Sequence, residues 1–336
     1  MEQCKWLVVG TLACALTVAA ACGTKQQETV APAAAEPQDL LLGSFNADSA
    51  YSYVDKQVSF GPRVPGTPGH AACRDYIVEK LRAAGADSVY LQNATVTAFN
   101  GDKLPITNIM ASFNTMSAST RRILLVAHWD TRPWADREKD STLRRQPIDG
   151  ANDGGSGTGV LLEIARNLGL QRAAVSVDIL FVDGEDYGDD TGFGGDESSW
   201  CLGTQHWVEN MPYGDNLPLY GILLDMVGGR GAKFHYEYFS QANAPTPTIK
   251  VWGEAERLGF NDVFVRSLGG AVTDDHVFLN RAGIPTTDII ETLNDQTQSF
   301  NPTWHTLDDN MSNIDRSTLN AVGCTVLNVV YKEKAF

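Results

Sequence analysis

Short apolar runs alternate along this chain with stretches of helical periodicity, and this alternation restricts the possible folds more than any other feature. The apolar runs cover residues 123–127, 177–182, 220–224 and 285–290. They are nearly continuous in hydrophobicity, which is typical of strands buried on both faces. Helical periods precede, separate or follow them at residues 69–84, 157–168, 203–209, 248–258 and 317–331. The pattern predicts a three-layer α/β/α sandwich around a central mixed, mostly parallel sheet.

The composition predicts one large globular domain. Because 43% of the residues are hydrophobic, the chain has enough apolar surface for an extensive core. No internal repeat is visible, so we expect a single catalytic domain over residues 41–336. Within it, Asp274 has the position of a helix N-cap, and the helix that it begins would end before Gly283.

The charge balance excludes some classes of partner. Acidic residues outnumber basic ones 41 to 26, which gives a formal net charge of −15. Such a negative field repels phosphate backbones and anionic lipids, so we expect no nucleic-acid binding. It favours a substrate with a free, positively charged amino terminus.

The first residues predict export rather than fold. Residues 1–22 combine a short Lys-containing segment with an apolar run that ends in small residues, as signal peptides do. Cys22 follows three alanines and resembles the lipidated Cys of a bacterial lipobox, although the usual Leu is missing, so lipidation and plain cleavage remain open. Residues 23–40 are an Ala/Pro-rich tether. We expect a periplasmic monomer, which would contact a membrane only in the lipidated form, through Cys22.

Only three cysteines follow the predicted signal peptide, namely Cys73, Cys201 and Cys324. They are widely spaced and form no CxxC pattern, so we expect neither a disulfide framework nor a metal site built from sulfur.

Polar side chains follow the apolar runs at the points where strands would end. These residues are His128, Asp130, Asp153, Glu185, Asp186, Asp225 and His305. In open α/β sheets ligands bind beyond the carboxyl ends of the strands, so these segments are expected to converge on one crevice. An Asp/Glu/His set without Cys is typical of a catalytic zinc site with an open position.

The motifs that contain these polar residues resemble those of a known family. The motifs HWD, GANDGGSG, VDGED, LLDMVG and WHT, in this order, resemble the zinc aminopeptidases of family M28. Within that clan, the segments AVTDDHVFLNRAGIP and NPTWHTLDDNMSNID are similar to the animal-type (type II) glutaminyl-peptide cyclotransferases and their bacterial zinc-dependent relatives. The resemblance covers most of the chain after the tether.

The resemblance implies an activity and a set of roles. It implies cyclisation of the amino-terminal glutamine of peptides and proteins to pyroglutamate, with release of ammonia. One zinc ion per chain would be held by Asp153, Asp186 and His305, and Glu185 would act as general base and acid. Asp225 would bind the substrate amine and the tetrahedral intermediate. Trp304 would line the glutamine pocket, with Asp274 and Asp288 in the polar network around it.

The chain departs from the animal pattern at several positions. Asp186 stands where the animal enzymes have Glu, Asp288 where they have His, and Ala127 where they have one Cys of a disulfide. The acidic segment 187–199 is longer, and it is interpreted either as a solvated loop or as a lid or second metal contact. The pocket Trp of the animal form has no clear counterpart, with Phe193 and Trp200 as the candidates.

Two other functions remain open. A two-zinc aminopeptidase on the same fold would use His128 and Asp225, with Asp153 bridging, for a second metal, and Glu185 would activate a water molecule. A non-catalytic exported binding domain is the third alternative, although such a domain would be expected to have lost one of the ligand positions, and none is lost here.

Overall fold

The fold is built on a six-stranded central sheet, and the candidate site residues follow the ends of its strands. The structure is a computed structural model that describes residues 44–115, 121–190 and 196–335. Its strands are β1 Ser88–Thr97, β2 Lys103–Phe113, β3 Arg122–His128, β4 Ser176–Val182, β5 Gly221–Leu224, β6 Phe234–Tyr236, β7 Phe264–Leu268 and β8 Thr286–Ile289. Six of them form the central sheet in the order β1-β2-β4-β3-β5-β8, and β6 pairs with β7 in a small second sheet.

The central sheet is mixed. The pairs β3–β4, β3–β5 and β5–β8 are parallel, whereas β1–β2 and β2–β4 are antiparallel. In the parallel half His128 is opposite Val182, and Leu224 is opposite Ile289. The carboxyl ends of these strands therefore meet at one edge of the sheet.

Helices cover both faces of this sheet. They are α1 Ala47–Val58, α2 Pro68–Ala83, α3 Gly155–Leu170, α4 Leu202–Glu209, α5 Tyr238–Asn243, α6 Pro245–Arg257, α7 Asp275–Arg281 and α8 Arg316–Lys332. Alternate residues of β3 enter two separate cores: Leu125 packs in the larger one with α1, α2, α3, α6 and α8, and Leu124 packs with Trp207 of α4 and Leu279 of α7. Because a strand presents successive side chains to opposite faces, two cores imply three layers, and the predicted α/β/α fold is confirmed.

The predicted elements match those found, but the sequence did not predict α1, α5, β1, β2 or the small second sheet. In β1 only Gln92 is buried, so this edge strand lacks the continuous apolar run of the central strands. The helix expected from Asp274 is α7, and the Asp274 side chain accepts a hydrogen bond from the Asp275 amide, as an N-cap does.

Some predictions concern residues outside the described ranges. The signal peptide, Cys22 and the tether lie there, as do Phe193 and the rest of residues 191–195. In the described part of the chain, no helix combines the length and the apolar character needed to cross a membrane. Cys73, Cys201 and Cys324 are buried free thiols.

Candidate active site

A cavity of about 560 Å³ opens at the edge of the sheet where β3, β4 and β5 end. The predicted site residues that line it are Asp153, Glu185, Asp186, Asp225, Asp274, Trp304 and His305. His128, Asp130 and Asp288 are buried directly behind it, against these side chains. The structure therefore brings together residues that are far apart in the sequence.

Three of the lining residues form a buried cluster suited to a metal ion. A ligand atom from each of Asp153, Asp186 and His305 lies within 4.8 Å of the others. His305 Nε2 is 3.2 Å from Asp186 Oδ1 and 3.7 Å from Asp153 Oδ2. Ligand atoms about 2.0 Å from a tetrahedral zinc are about 3.3 Å apart, so this spacing fits the ion. Asp186 Oδ2 is buried without a hydrogen-bond partner, as expected of a ligand atom.

A second cluster shares Asp153. His128 Nε2 lies 3.1 Å from Asp153 Oδ1 and 3.1 Å from Asp225 Oδ1. These three residues also offer ligand atoms within 4.8 Å of one another. The residues that a second metal would need are thus close together, and their types alone do not decide the number of ions.

Glu185 is a buried carboxyl that lines the cavity beside Asp186. Its pKa is raised well above the ordinary value, mainly because burial disfavours the charged form, and further because of the neighbouring carboxylates of Asp274 and Asp186. The Cys201 thiol donates to Glu185 Oε1 at 3.3 Å. A carboxyl of raised pKa in a cavity is suited to accept and return a proton near neutral pH.

Two other aspartates hold the turns that carry these residues. Asp130 accepts hydrogen bonds from the amides of Glu185 and Asp186, at 3.1 and 3.2 Å. Asp309 does the same for the amides of Asn152 and Asp153, at 2.8 and 3.0 Å. Burial raises the pKa of Asp309 to about 7. The sequence placed Asp130 at the site but missed Asp309, which lies in the TLDDN segment after His305.

Gly154 lets the turn that carries Asn152 and Asp153 pack closely against the chain that follows β3. Gly154 has a φ of +80°, and a Cβ there would lie 2.7 Å from the carbonyl oxygen of Asp130. A side chain at this position would force the Asp153 turn away from β3.

An acidic network lies behind the cavity, and a histidine is part of it. The carboxyls of Asp274 and Asp288 interact, and His276 Nδ1 is 3.5 Å from Asp288 Oδ2. On its other side His276 Nε2 is 2.9 Å from Glu237 Oε2. Burial raises the pKa of Asp225 to about 7, and burial together with the neighbouring carboxylates raises that of Asp288 well above its usual range. Although Asp288 replaces the histidine of the animal pattern, His276 thus places an imidazole in this network.

Aromatic side chains form the wall of the cavity. The Trp304 ring stacks on His305 at 3.9 Å between centroids, and Phe300 is 4.6 Å from Trp304. Trp200 also lines the cavity, with its ring 6.3 Å from that of His305 and nearly parallel to it. Of the two candidates for the pocket Trp of the animal form, Trp200 is thus found in the wall of the cavity, whereas Phe193 lies outside the described residues.

Non-glycine residues with strained backbone border the site. Cys201, Met226 and His305 have φ values of 55°, 50° and 54°. Such conformations cost free energy and persist where the surrounding structure fixes them, often at functional sites.

Comparison with known proteins identifies the family. The sequence profile described as peptidase family M28 matches residues 108–330. The chain belongs to this family. Among solved structures, the M28 protein is similar to glutaminyl cyclase from Bacteroides thetaiotaomicron, with 48% identity, a TM-score of 0.83 and coverage of 87% of this chain and 99% of that one.

Two further relatives extend this comparison. A Zn-dependent exopeptidase from Parabacteroides distasonis is 47% identical, with a TM-score of 0.82 and coverage of 86% of this chain and 99% of that one. The glutaminyl-peptide cyclotransferase of Bos taurus is 26% identical over 298 residues, or 77% of this chain and 74% of that protein. The resemblance drawn from the motifs is confirmed, and the M28 protein is an enzyme of a metal-dependent kind.

Proposed function

We propose that the protein is a glutaminyl cyclase, which converts the amino-terminal glutamine of peptides and proteins to pyroglutamate and releases ammonia. The observation that carries this proposal is Glu185, a buried carboxyl of raised pKa that lines the cavity beside the Asp153, Asp186 and His305 cluster. The 48% identity to the glutaminyl cyclase of Bacteroides thetaiotaomicron supports it.

The metal centre follows from the ligand types. Asp153, Asp186 and His305 would hold one zinc ion per chain, and the ion would polarise the γ-amide carbonyl of the substrate. Two carboxylates and one imidazole leave a fourth position open, as catalytic zinc sites do.

Glu185 would move the proton. It accepts a proton from the α-amino nitrogen as that nitrogen attacks the γ-carbonyl carbon. A carbon–nitrogen bond forms, the bond to the amide nitrogen breaks, and Glu185 returns the proton to the departing ammonia. No water molecule is consumed, so the aromatic wall benefits the reaction by excluding solvent.

The remaining residues would orient the substrate. Asp225, at the cavity edge with a pKa near 7, would bind the α-amine and the tetrahedral intermediate. Trp304 would contact the glutamine side chain, and Asp274 would fix Asp225 and Glu185 through the acidic network that includes Asp288.

A two-zinc aminopeptidase is the second candidate. The position of His128 Nε2, 3.1 Å from both Asp153 and Asp225, favours it, because these three side chains would hold a second ion. In that case Glu185 would activate a water molecule.

One experiment separates the two candidates. Purified mature protein is assayed for zinc per chain and, side by side, for ammonia release from a Gln peptide and for leucine release from Leu-amide. One zinc with ammonia release supports the cyclase. Two zinc ions with leucine release would replace it by the peptidase, and no turnover of either substrate would favour the non-catalytic binding domain.

We also propose export to the periplasm as a monomer, with a lipid on Cys22 as the contact with the membrane. The support is the sequence of residues 1–22. Intact-mass analysis of the natural protein tests it: a diacylglyceryl Cys22 is expected, and an unmodified amino terminus elsewhere would contradict lipidation. Sedimentation analysis tests the monomer.

A further inference from the structure

A buried arginine and an aspartate lie directly outside the proposed zinc ligands, and no role above uses them. The Arg132 side chain is 1% exposed. Its Nε and Nη2 donate to Asp136 Oδ2 at 3.0 and 2.6 Å, which makes a two-pronged contact. A buried guanidinium is costly unless its donors are satisfied, and Asp136 satisfies two of the donors of Arg132.

Asp136 contacts the imidazole ligand. Its Oδ1 lies 3.2 Å from His305 Nδ1, on the far side of the ring from the atom nearest Asp153 and Asp186. An imidazole that binds a metal through Nε2 carries its proton on Nδ1, and a carboxylate there fixes both the tautomer and the ring orientation.

Arg132 contacts the carboxylate ligand. Its Nη1 donates to the carbonyl oxygen of Asp186 at 3.2 Å and lies 3.4 Å from Asp186 Oδ1. Its Nη2 also donates to the Gly188 carbonyl at 3.2 Å. The same guanidinium therefore holds the backbone and the side chain of one ligand while it binds the partner of the other.

Arg132 also touches the wall of the cavity. Its guanidinium carbon is 4.9 Å from the centre of the Trp200 ring and 5.5 Å from that of Trp134. Trp200 lines the cavity, so the contact joins the metal ligands to the substrate pocket.

We propose that Arg132 and Asp136 form a positioning pair that bridges two zinc ligands, His305 and Asp186, and fixes the Trp200 side of the pocket. The inference rests on the zinc site in the proposed function. Asp136 acts on the metal through His305 and reaches the pocket only by holding Arg132, whereas Arg132 contacts both the ligand Asp186 and the pocket residue Trp200.

The test measures zinc affinity by chelator competition without substrate, on wild type, Asp136→Asn and the control Asp140→Asn. Asn keeps the shape of Asp136 but lacks its charge, and the affinity is expected to fall about 10- to 100-fold. The d–d absorption bands of the cobalt-substituted protein should shift in the same variant. The Asp140 side chain is exposed and accepts hydrogen bonds from Thr142, two residues further along the chain, so Asp140→Asn should match wild type. An Asp136→Asn affinity within twofold of wild type, with unchanged cobalt bands, would overturn the proposal.

Arg132→Lys provides the second test should Asp136→Asn fold poorly, which thermal unfolding of the metal-free protein detects. A lysine ammonium cannot satisfy Asp136 and Asp186 in one fork, so zinc affinity should again fall about 10-fold. The KM for a Gln peptide should rise more in Arg132→Lys than in Asp136→Asn, because Arg132 contacts Trp200 directly and Asp136 reaches it only through Arg132. Wild-type affinity and KM in Arg132→Lys would refute the bridge. The proposed function is tested by the zinc count and the ammonia release of the wild-type protein. This inference is tested separately, by the ratio of the zinc affinity of each variant to that of wild type.

Discussion

The two sides of the cavity contain the same kind of side chain in different electrostatic surroundings. On the metal side, hydrogen bonding and charge from His128, with the charge of His305, lower the pKa of Asp153 against the effect of its burial. Burial and the charge of Asp153 raise the pKa of Asp186, although His305 and Arg132 oppose this rise. On the acidic side, burial and neighbouring carboxylates raise the pKa of Glu185 and Asp288. Carboxyls whose environments push their pKa values apart take different roles, so one side is suited to hold a cation and the other to hold and move protons.

The largest effect is expected when a ligand is removed from the metal side of the cavity. Asp186→Ala should lose zinc affinity by more than the roughly 10- to 100-fold effect of an outer contact, and turnover should disappear with the ion. Metal analysis after dialysis checks the result. Asp215→Ala is the control, since Asp215 is exposed and lies outside the site. Full zinc content in Asp186→Ala would remove Asp186 from the ligand set.

Replacing the proton carrier tests the acidic side without emptying the metal side. Glu185→Gln should retain zinc and lose turnover of a Gln peptide by about 10²- to 10⁴-fold, because an amide cannot accept and return the proton. Single-turnover ammonia release and zinc content are measured on the same sample. Glu209→Gln, an exposed change on α4, should behave as wild type. Retained turnover in Glu185→Gln would exclude the shuttle.

The raised pKa values on the acidic side should also make the free energy of unfolding depend on pH. A carboxyl with a raised pKa in the folded state gives stability that is present below its unfolded pKa of about 3.9 and is lost as pH rises toward the folded value. For Asp288 this loss approaches about 1.4 kcal/mol per pH unit above about pH 4. Asp288→Asn should reduce this slope, by up to that amount, in urea unfolding just above pH 4, and exposed Asp215→Asn should leave it unchanged. An equal slope in Asp288→Asn and wild type would mean that Asp288 is charged when folded.

The smallest effect is expected at the aromatic wall. Trp304→Phe keeps a ring against His305 but reduces its area, so the KM for a Gln peptide should rise about 2- to 10-fold with zinc affinity unchanged. Steady-state kinetics check this. A fall in zinc affinity with a constant KM would mean that Trp304 supports the ligand His305 and does not bind the substrate.

The sequence predicted the parallel half of the molecule better than the antiparallel half. The strands β3, β4 and β5 are buried on both faces and appear as nearly continuous apolar runs, and β8 is equally buried within the predicted run 285–290. By contrast, β1 is a half-exposed edge strand with no such signal. The candidate ligands were predictable because each follows a strand or lies in a recognisable motif. Arg132, Asp136 and Asp309 were not, because each acts through a side chain or amide that only folding brings close, such as Asp309 with the amide of Asp153, 156 residues away.

By itself, the sequence determined the α/β class, the M28 motifs and the residue types available for a metal and a proton carrier. These follow from local hydrophobicity and from short motifs, which need no knowledge of distant neighbours. The tertiary structure alone decided which of many acidic residues are surrounded by cations and which by other acids. Burial and charge at a few ångströms set the pKa of each carboxyl, and those distances arise from the packing of segments such as 128–130, 185–186 and 274–276 against one another.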